Sequence, residues 1–244
     1  MRKHLVYIIL VFIFLNSCDD NADSVSPEIN GKGGSLAQFT FIGDKLYVVT
    51  NDELITFKTR QRQPLVELDR EFLRRGVETI FPKGNLLFLG TQFGMYIYET
   101  DQNGIPKYKS LTTHFFSCDP VVANDKHAFV TLNSVFGNCG RGVNELNFYD
   151  ISNIENPKII NTIPMDAPRG LGLAGNLLFV CDGGLKVFDV SEPKSVRNPI
   201  DTYVVNDAVD VIPDGDHLYV IGEKALYQYK IEEDELKLLS QLDY

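Results

Sequence analysis

Five short apolar runs punctuate the chain at a near-constant interval: LYVV from Leu46, LLFL from Leu86, HAFV from His127, LLFV from Leu177 and LYVI from Leu218. Their starts lie 40, 41, 50 and 41 residues apart. A tight-turn pair precedes each: GD (43–44), GN (84–85), ND (124–125), GN (175–176) and DGD (214–216). Such pairs supply the φ > 0 geometry of two-residue hairpins. An alternating segment follows each: LITF (54–57), MYIY (95–98), LNFY (146–149), LKVF (185–188) and LYQY (226–229). Alternation, β-branched and aromatic content and short length predict strands. Outer strands are expected at PLVELD (64–69), KYKSLTT (107–113), KIINTIP (158–164), PIDTYVV (199–205) and LKLLSQL (236–242). REFLRR (70–75) is too short and isolated to make a helix.

A period near 40 with four strands per repeat predicts an all-β fold, a five-bladed β-propeller. A sandwich of short strands does not require matching turns at matching phase. The repeats fill residues 36–244, with blades at about 36–75, 76–117, 118–168, 169–206 and 207–244. The phase runs from an inner strand to an outer strand, so every blade is contiguous. Closure of the ring is then expected to rest on side-chain packing between blades 1 and 5; the alternative, an edge strand lent by residues 26–35, is disfavoured by their flexible composition.

GGLKVFDVSEP (183–193) and NELNFYDISNIENP (144–157) resemble the repeats of the LVIVD propeller family. Asp-x-Ser-x-Pro suits a strand exit, where side chains bond local backbone and proline stops the ladder. Blades 1, 2 and 5 carry KTR, ETD and KIE at that place, so the motif is sharp only in blades 3 and 4. The resemblance implies a propeller on an exported, often lipidated protein, and no common activity.

The N-terminus changes the picture. Arg2, Lys3 and His4 precede LVYIILVFIFL (5–15), the layout of a secretory signal and too short to span a bilayer. Leu15-Asn16-Ser17-Cys18 resembles a lipoprotein lipobox, which implies a signal peptide over 1–17 and lipidation of Cys18. Residues 19–35 are polar, acidic and rich in Gly and Ser, so 18–35 reads as lipidated cysteine and flexible tether. The expected location is the cell envelope of a Gram-negative bacterium, lipid-anchored to the outer membrane. Asp19 and Asp20 leave the final leaflet, and display at the surface, open. The formal charge is −10, and loss of Arg2 and Lys3 leaves −12. That excludes nucleic acid and anionic head groups as natural partners.

Blade 3 departs from the repeat. LNSVFGNCGRGV (132–143) lengthens the link between its second and third strands. Cys139 lies in that insertion, and Cys118 opens the same blade's inner strand at the same end of the propeller. In an oxidising compartment, a Cys118–Cys139 disulfide is expected to pin the loop. His114, Cys118, Cys139 and Cys181 are a soft donor set, but their spacing fits no compact zinc motif. No metal or cofactor is expected, and Cys181 reads as a packing thiol.

Glu78, Asp119 and Asp210 fall on or near inner strands, with Gln38 and Arg169 nearby. Channel carboxylates are what a propeller glycosidase uses, which keeps a hydrolase as the alternative. The chain holds no G-x-S-x-G, H-E-x-x-H or P-loop. The favoured reading is a binding or scaffolding module without catalysis, serving an envelope protein or glycan. Its candidate face comprises Gln38, Glu78, Asp119, Phe136, Asn138, Arg141, Arg169, Asp207 and Asp210.

Overall fold

The computed structural model describes residues 33–244 apart from 61, 75, 114–119, 136–141 and 234. The chain forms five four-stranded antiparallel sheets, each made of consecutive strands. Blade 1 holds β1 (Phe39–Ile42), β2 (Lys45–Val49), β3 (Glu53–Lys58) and β4 (Val66–Phe72). Blade 2 holds β5 (Val77–Lys83), β6 (Leu86–Thr91), β7 (Gly94–Thr100) and β8 (Pro106–Thr113). Blade 3 holds β9 (Val121–Ala123), β10 (His127–Leu132), β11 (Glu145–Asp150) and β12 (Lys158–Pro164). Blade 4 holds β13 (Leu171–Ala174), β14 (Leu177–Cys181), β15 (Leu185–Asp189) and β16 (Asp201–Tyr203). Blade 5 holds β17 (Ala208–Asp214), β18 (His217–Gly222), β19 (Ala225–Ile231) and β20 (Leu236–Asp243). This is a five-bladed propeller. REFLRR is no helix; Arg70–Phe72 continues β4. The fourth strand of blade 4, Asp201–Tyr203, is shorter than its sequence suggested: Pro199 has no amide to add at its start, and at its end Tyr203 already faces Leu185, the first residue of β15. Among the described residues, no helix is long and apolar enough to cross a membrane.

Local chemistry sets the hairpins. Gly43, Gly84, Gly175 and Gly215 take φ of +58°, +59°, +56° and +62°, each as the first residue of a two-residue turn. A glycine there is the signature of a type II′ hairpin. Blade 3 lacks the glycine and uses a side chain instead: the Asn124 Oδ1 accepts the amides of Lys126 (2.9 Å) and His127 (2.8 Å). At the exits of the third strands, the carboxylates of Asp150 and Asp189 accept the amides of Ser152 and Ser191, both at 2.9 Å. In blade 2, Asp101 does the same work for Asn103 and Ile105, although its ETD lacks the motif.

All turns between first and second strands, and between third and fourth, lie on one side of the disc, the hairpin face. The other connections lie on the opposite side, the loop face. Flat sheets packed side by side bury both surfaces of the middle strands. In β6, Leu87, Phe88 and Leu89 are all fully buried, and β10 and β14 behave alike. Four cores result. Tyr47, Val49 and Leu54 pack on Ile80, Leu87 and Tyr98 between blades 1 and 2. Phe88 and Ile97 meet Val121 and Val130; Phe129 and Phe148 meet Leu178 and Val180. Phe179 and Val187 meet Val211, Val220 and Tyr227.

Blades 1 and 5 differ. In β2, Tyr47 and Val49 are buried while Leu46 and Val48 on the other surface are half-buried. In β18, Leu218 and Val220 are buried, Tyr219 is half-buried and Ile221 is 43% exposed. Cross-strand register places Leu226 and Leu242 beside Ile221, and they are 36% and 64% exposed. On blade 1, Phe39 is 58% exposed on the surface turned away from blade 2. Among the described residues, no apolar core joins blade 5 to blade 1. Among the described residues the expected closure by side-chain packing is not made, since neither terminal blade covers the other's free surface.

Substitution costs should follow this asymmetry. Phe179→Ala is expected to cost about 3–5 kcal/mol, and Ile221→Ala about 1 kcal/mol or less. Urea unfolding midpoints of the two variants would show the contrast. Similar losses at both positions would mean the seam is packed.

Candidate functional site: the axial channel

The inner strands β5, β9, β13 and β17 surround the axis, and the segment Gly33–Ala37 runs inside them before β1 begins. The Ala37 amide donates to the Gly34 carbonyl at 3.1 Å, closing a turn around Ser35. Ser35 is 1% exposed. Its hydroxyl donates to Asp210 Oδ1 at 3.0 Å and accepts the Leu171 amide at 2.8 Å. The Ala37 carbonyl then accepts the Ile80 amide at 2.8 Å. One short strap thus ties blade 5, blade 4 and blade 2 to the start of blade 1. Residues 33–35 are consequently part of the folded channel and not the end of a solvated tether.

Asp210 is the acceptor at the centre. Its carboxylate takes the Val211 amide at 2.9 Å and is also bonded by the backbone of Leu36 and Ser35. Burial pushes its pKa up to about 6, against the lowering effect of those hydrogen bonds. Gly34 and Gly170 flank it, and a Cβ on either would overlap a carboxylate oxygen. At Gly170 the Asp210 Cα also stands only 2.8 Å from that Cβ position, so side-chain movement alone gives no relief. Glycine is required here by close approach.

Toward the hairpin face the axis widens into a cavity of about 320 Å³. Phe81, Val122, Leu171, Leu173 and Pro213 line it together with Gly33 and Ser35. None of its lining comes from β1; the strap takes that place. Among the described residues Lys83 is the charged group in the lining, and it pairs with Asp125 at 2.9 Å. Among the described residues its lining is mixed: apolar side chains, backbone polar groups, the Ser35 hydroxyl that bonds Asp210, and the Lys83 ammonium.

Glu78, Arg169, Asp207 and Gln38 lie at the loop-face ends of their blades. Glu78 sits at a bulge in β5 and accepts the Gln92 side-chain amide at 2.9 Å. Bulges re-aim side chains at sheet edges, and the matching bulge in β17 frees the Val209 carbonyl to accept the Gly170 amide at 2.9 Å. Arg169 donates to Glu223 Oε1 through both terminal nitrogens, at 3.1 and 3.0 Å. Asp207 adopts φ +49° in the turn into β17, and its carbonyl accepts the Glu223 amide. Gln38 is exposed, and its carbonyl holds the Val49 amide. Arg169, Glu223 and Asp207 are linked to one another, while Glu78 bonds within blade 2. Asp210 lies deeper, bonded to the strap. Cys18, Asp119, Phe136, Asn138, Arg141, His114, Cys118 and Cys139 lie outside the described residues. The feet of the blade-3 insertion are described: the Asn133 side chain donates to the Pro168 carbonyl, and Asn144 Oδ1 accepts the Ser134 amide at 2.8 Å. Cys181 is free and fully buried between blades 4 and 5, and burial pushes its thiol well up. Among the described residues, no group of three or more His, Cys, Asp or Glu is placed to hold a metal.

No protein-family model matches the chain, and no curated protein does. Solved structures do. A functionally unknown protein from Desulfotomaculum acetoxidans superposes with TM-score 0.68 at 12% identity, over 85% of this chain and 69% of that one. The periplasmic gluconolactonase of Pseudomonas aeruginosa gives 0.63 at 13% identity, over 82% and 68%. BamB from Moraxella catarrhalis gives 0.52 at 11% identity, over 84% and 60%. The likeness is one of fold. All three chains continue beyond the region that five blades match.

Nothing in the sequence singled out Ser35, since GKGGS is composed like a linker. Its burial depends on a partner 175 residues away. The pH dependence of stability can report this contact. Asp210 has a folded pKa of about 6, above the ordinary carboxylate value of about 3.9. The folded state thus binds the extra proton, so this group's contribution is full below the unfolded pKa and is lost as pH rises through 6. Asp101, Asp150 and Asp189 are held low by backbone bonds and act in the opposite sense, losing stability as pH falls. Asp210→Asn should therefore remove a downward slope in unfolding free energy between pH 4 and 6, about 3 kcal/mol at most. An unchanged slope would show that Asp210 is not buried against the strap.

Proposed function

We propose that the protein is an exported lipoprotein that presents its propeller as a non-catalytic binding or scaffolding module. The observation that carries this reading is the use of the axial carboxylate. A propeller hydrolase needs carboxylates free to meet substrate at the channel. Asp210 instead holds the protein's own strap, and Glu78 and Arg169 bond neighbouring side chains. Short hairpins at four of the five blades build no substrate cleft. The likeness to a gluconolactonase is one of fold and carries no activity by itself.

The LVIVD resemblance and the lipobox support the anchored, exported half of the reading. Cys18 carries the lipid, and the Cys118–Cys139 disulfide steadies the blade-3 insertion on the loop face, where Phe136, Asn138 and Arg141 meet a protein or glycan partner. Intact-mass analysis of protein extracted from membranes tests both covalent features. The expected mass begins at Cys18 with acyl chains and gains two alkyl groups only after reduction. Cys18→Ser should move the protein to the soluble fraction. An unlipidated chain that still fractionates with membranes would overturn the anchor.

A further inference from the structure

The hairpin repeat fixes which backbone groups face the axis. In an antiparallel pair, residues alternate between bonding the neighbouring strand and turning both N–H and C=O away from it. On the inner strands the turned-away residues are known by what they meet. The Ile80 amide donates to Ala37, the Leu171 amide to Ser35, and the Val211 carbonyl abuts Gly172 of β13. Two residues further along each strand, Pro82, Leu173 and Pro213 share that orientation. Each stands two residues before its turn glycine, so the three lie at one level. All three line the cavity of about 320 Å³. Pro82 and Pro213 have no N–H, so blades 2 and 5 offer only carbonyls there. Leu173 offers one carbonyl and one N–H. Among the described residues, no protein donor reaches these three carbonyls. Behind them Ser35 gives its proton to Asp210, a carboxylate ionised at neutral pH and held only by neutral donors.

We propose that this cavity binds a small primary ammonium carried on an apolar body. An ammonium has three N–H donors and no acceptor, which matches three carbonyls supplied by three blades. The Asp210 carboxylate adds attraction that water screens only in part, and Lys83 is offset by its pairing with Asp125. An anion would meet carbonyl oxygens and a carboxylate; an apolar molecule without donors would strip water from the carbonyls and leave them unbonded, at a cost. Phe81, Val122 and Leu171 supply the apolar wall. About 150 Å³ suffices for benzene in a protein interior, so a six-membered ring bearing an amine fits. The formal charge of −10 favours the approach of a cation. The same group stands at the end of a lysine side chain on another protein.

Methyl-resolved NMR of the full chain in non-ionic micelles tests the site, with cyclohexylamine as the probe at neutral pH. Shifts are expected at Val122, Leu171, Leu173 and Val211, and none at Leu226 or Leu242 on the open surface of blade 5. N,N,N-trimethylcyclohexylammonium keeps the charge without an N–H, and cyclohexanol keeps one donor without the charge; each should bind at least tenfold more weakly. Pro82→Ala together with Pro213→Ala adds two N–H groups beside the carbonyls without removing a ladder bond, and should weaken cyclohexylamine several-fold. Nα-acetyl-lysine methylamide separates the two sources: binding tighter than cyclohexylamine assigns the site to a protein's lysine, and weaker binding assigns it to a free amine. Equal binding of the three cyclohexyl probes, unchanged affinity in the double variant, or unmoved cavity methyls at millimolar probe would overturn the proposal.

Discussion

Everything about this propeller depends on how its first and last blades are held together. Each blade is built from consecutive strands, so no strand is shared across the ring. Four apolar cores join neighbours, and the seam between blades 5 and 1 has none among the described residues. The contact that spans the difference is polar and axial. Ser35 bonds a blade-5 carboxylate and a blade-4 amide, and two residues later Ala37 bonds blade 2. Burying a carboxylate there is costly and is offset by the several hydrogen bonds that converge on it. Because β1 follows the strap directly, fixing Ser35 fixes the entrance of blade 1.

Much of the fold was legible in the sequence because short-range chemistry sets it. Gly43, Gly84, Gly175 and Gly215 stand where a type II′ turn requires them, and the alternating runs fall on strands. Asp150 and Asp189 cap strand exits through bonds to residues two positions on. The features that were not legible are long-range. A Gly-Gly-Ser segment carries no local sign that it will be buried. Asp210 read as a channel acid in an ordinary repeat strand, and only the folded chain shows that the strap consumes it. The seam was also hidden, although the terminal blades carry Tyr47 and Tyr219 where blades 2 and 4 carry Phe88 and Phe179 at the same distance from the turn glycine. That tyrosine is fully buried in blade 1 yet half-buried in blade 5, so composition alone does not distinguish a covered from an uncovered surface.

These findings bear on function through what the axis is used for. In a propeller the channel is the natural place for chemistry, since side chains from every blade converge there. Here the chain's own N-terminal strap fills part of it and turns the best-placed carboxylate to structural use. The same strap connects the folded disc to the segment that carries the lipobox.

Native-state hydrogen exchange tests the role of the strap most directly. The chain would be compared with a variant in which Ser35→Pro removes the hydroxyl that bridges Asp210 and Leu171. The account predicts faster exchange in β1, β2, β17 and β18, with β6, β10 and β14 keeping their protection. Uniform acceleration across all five blades, or no change in blade 1, would contradict it.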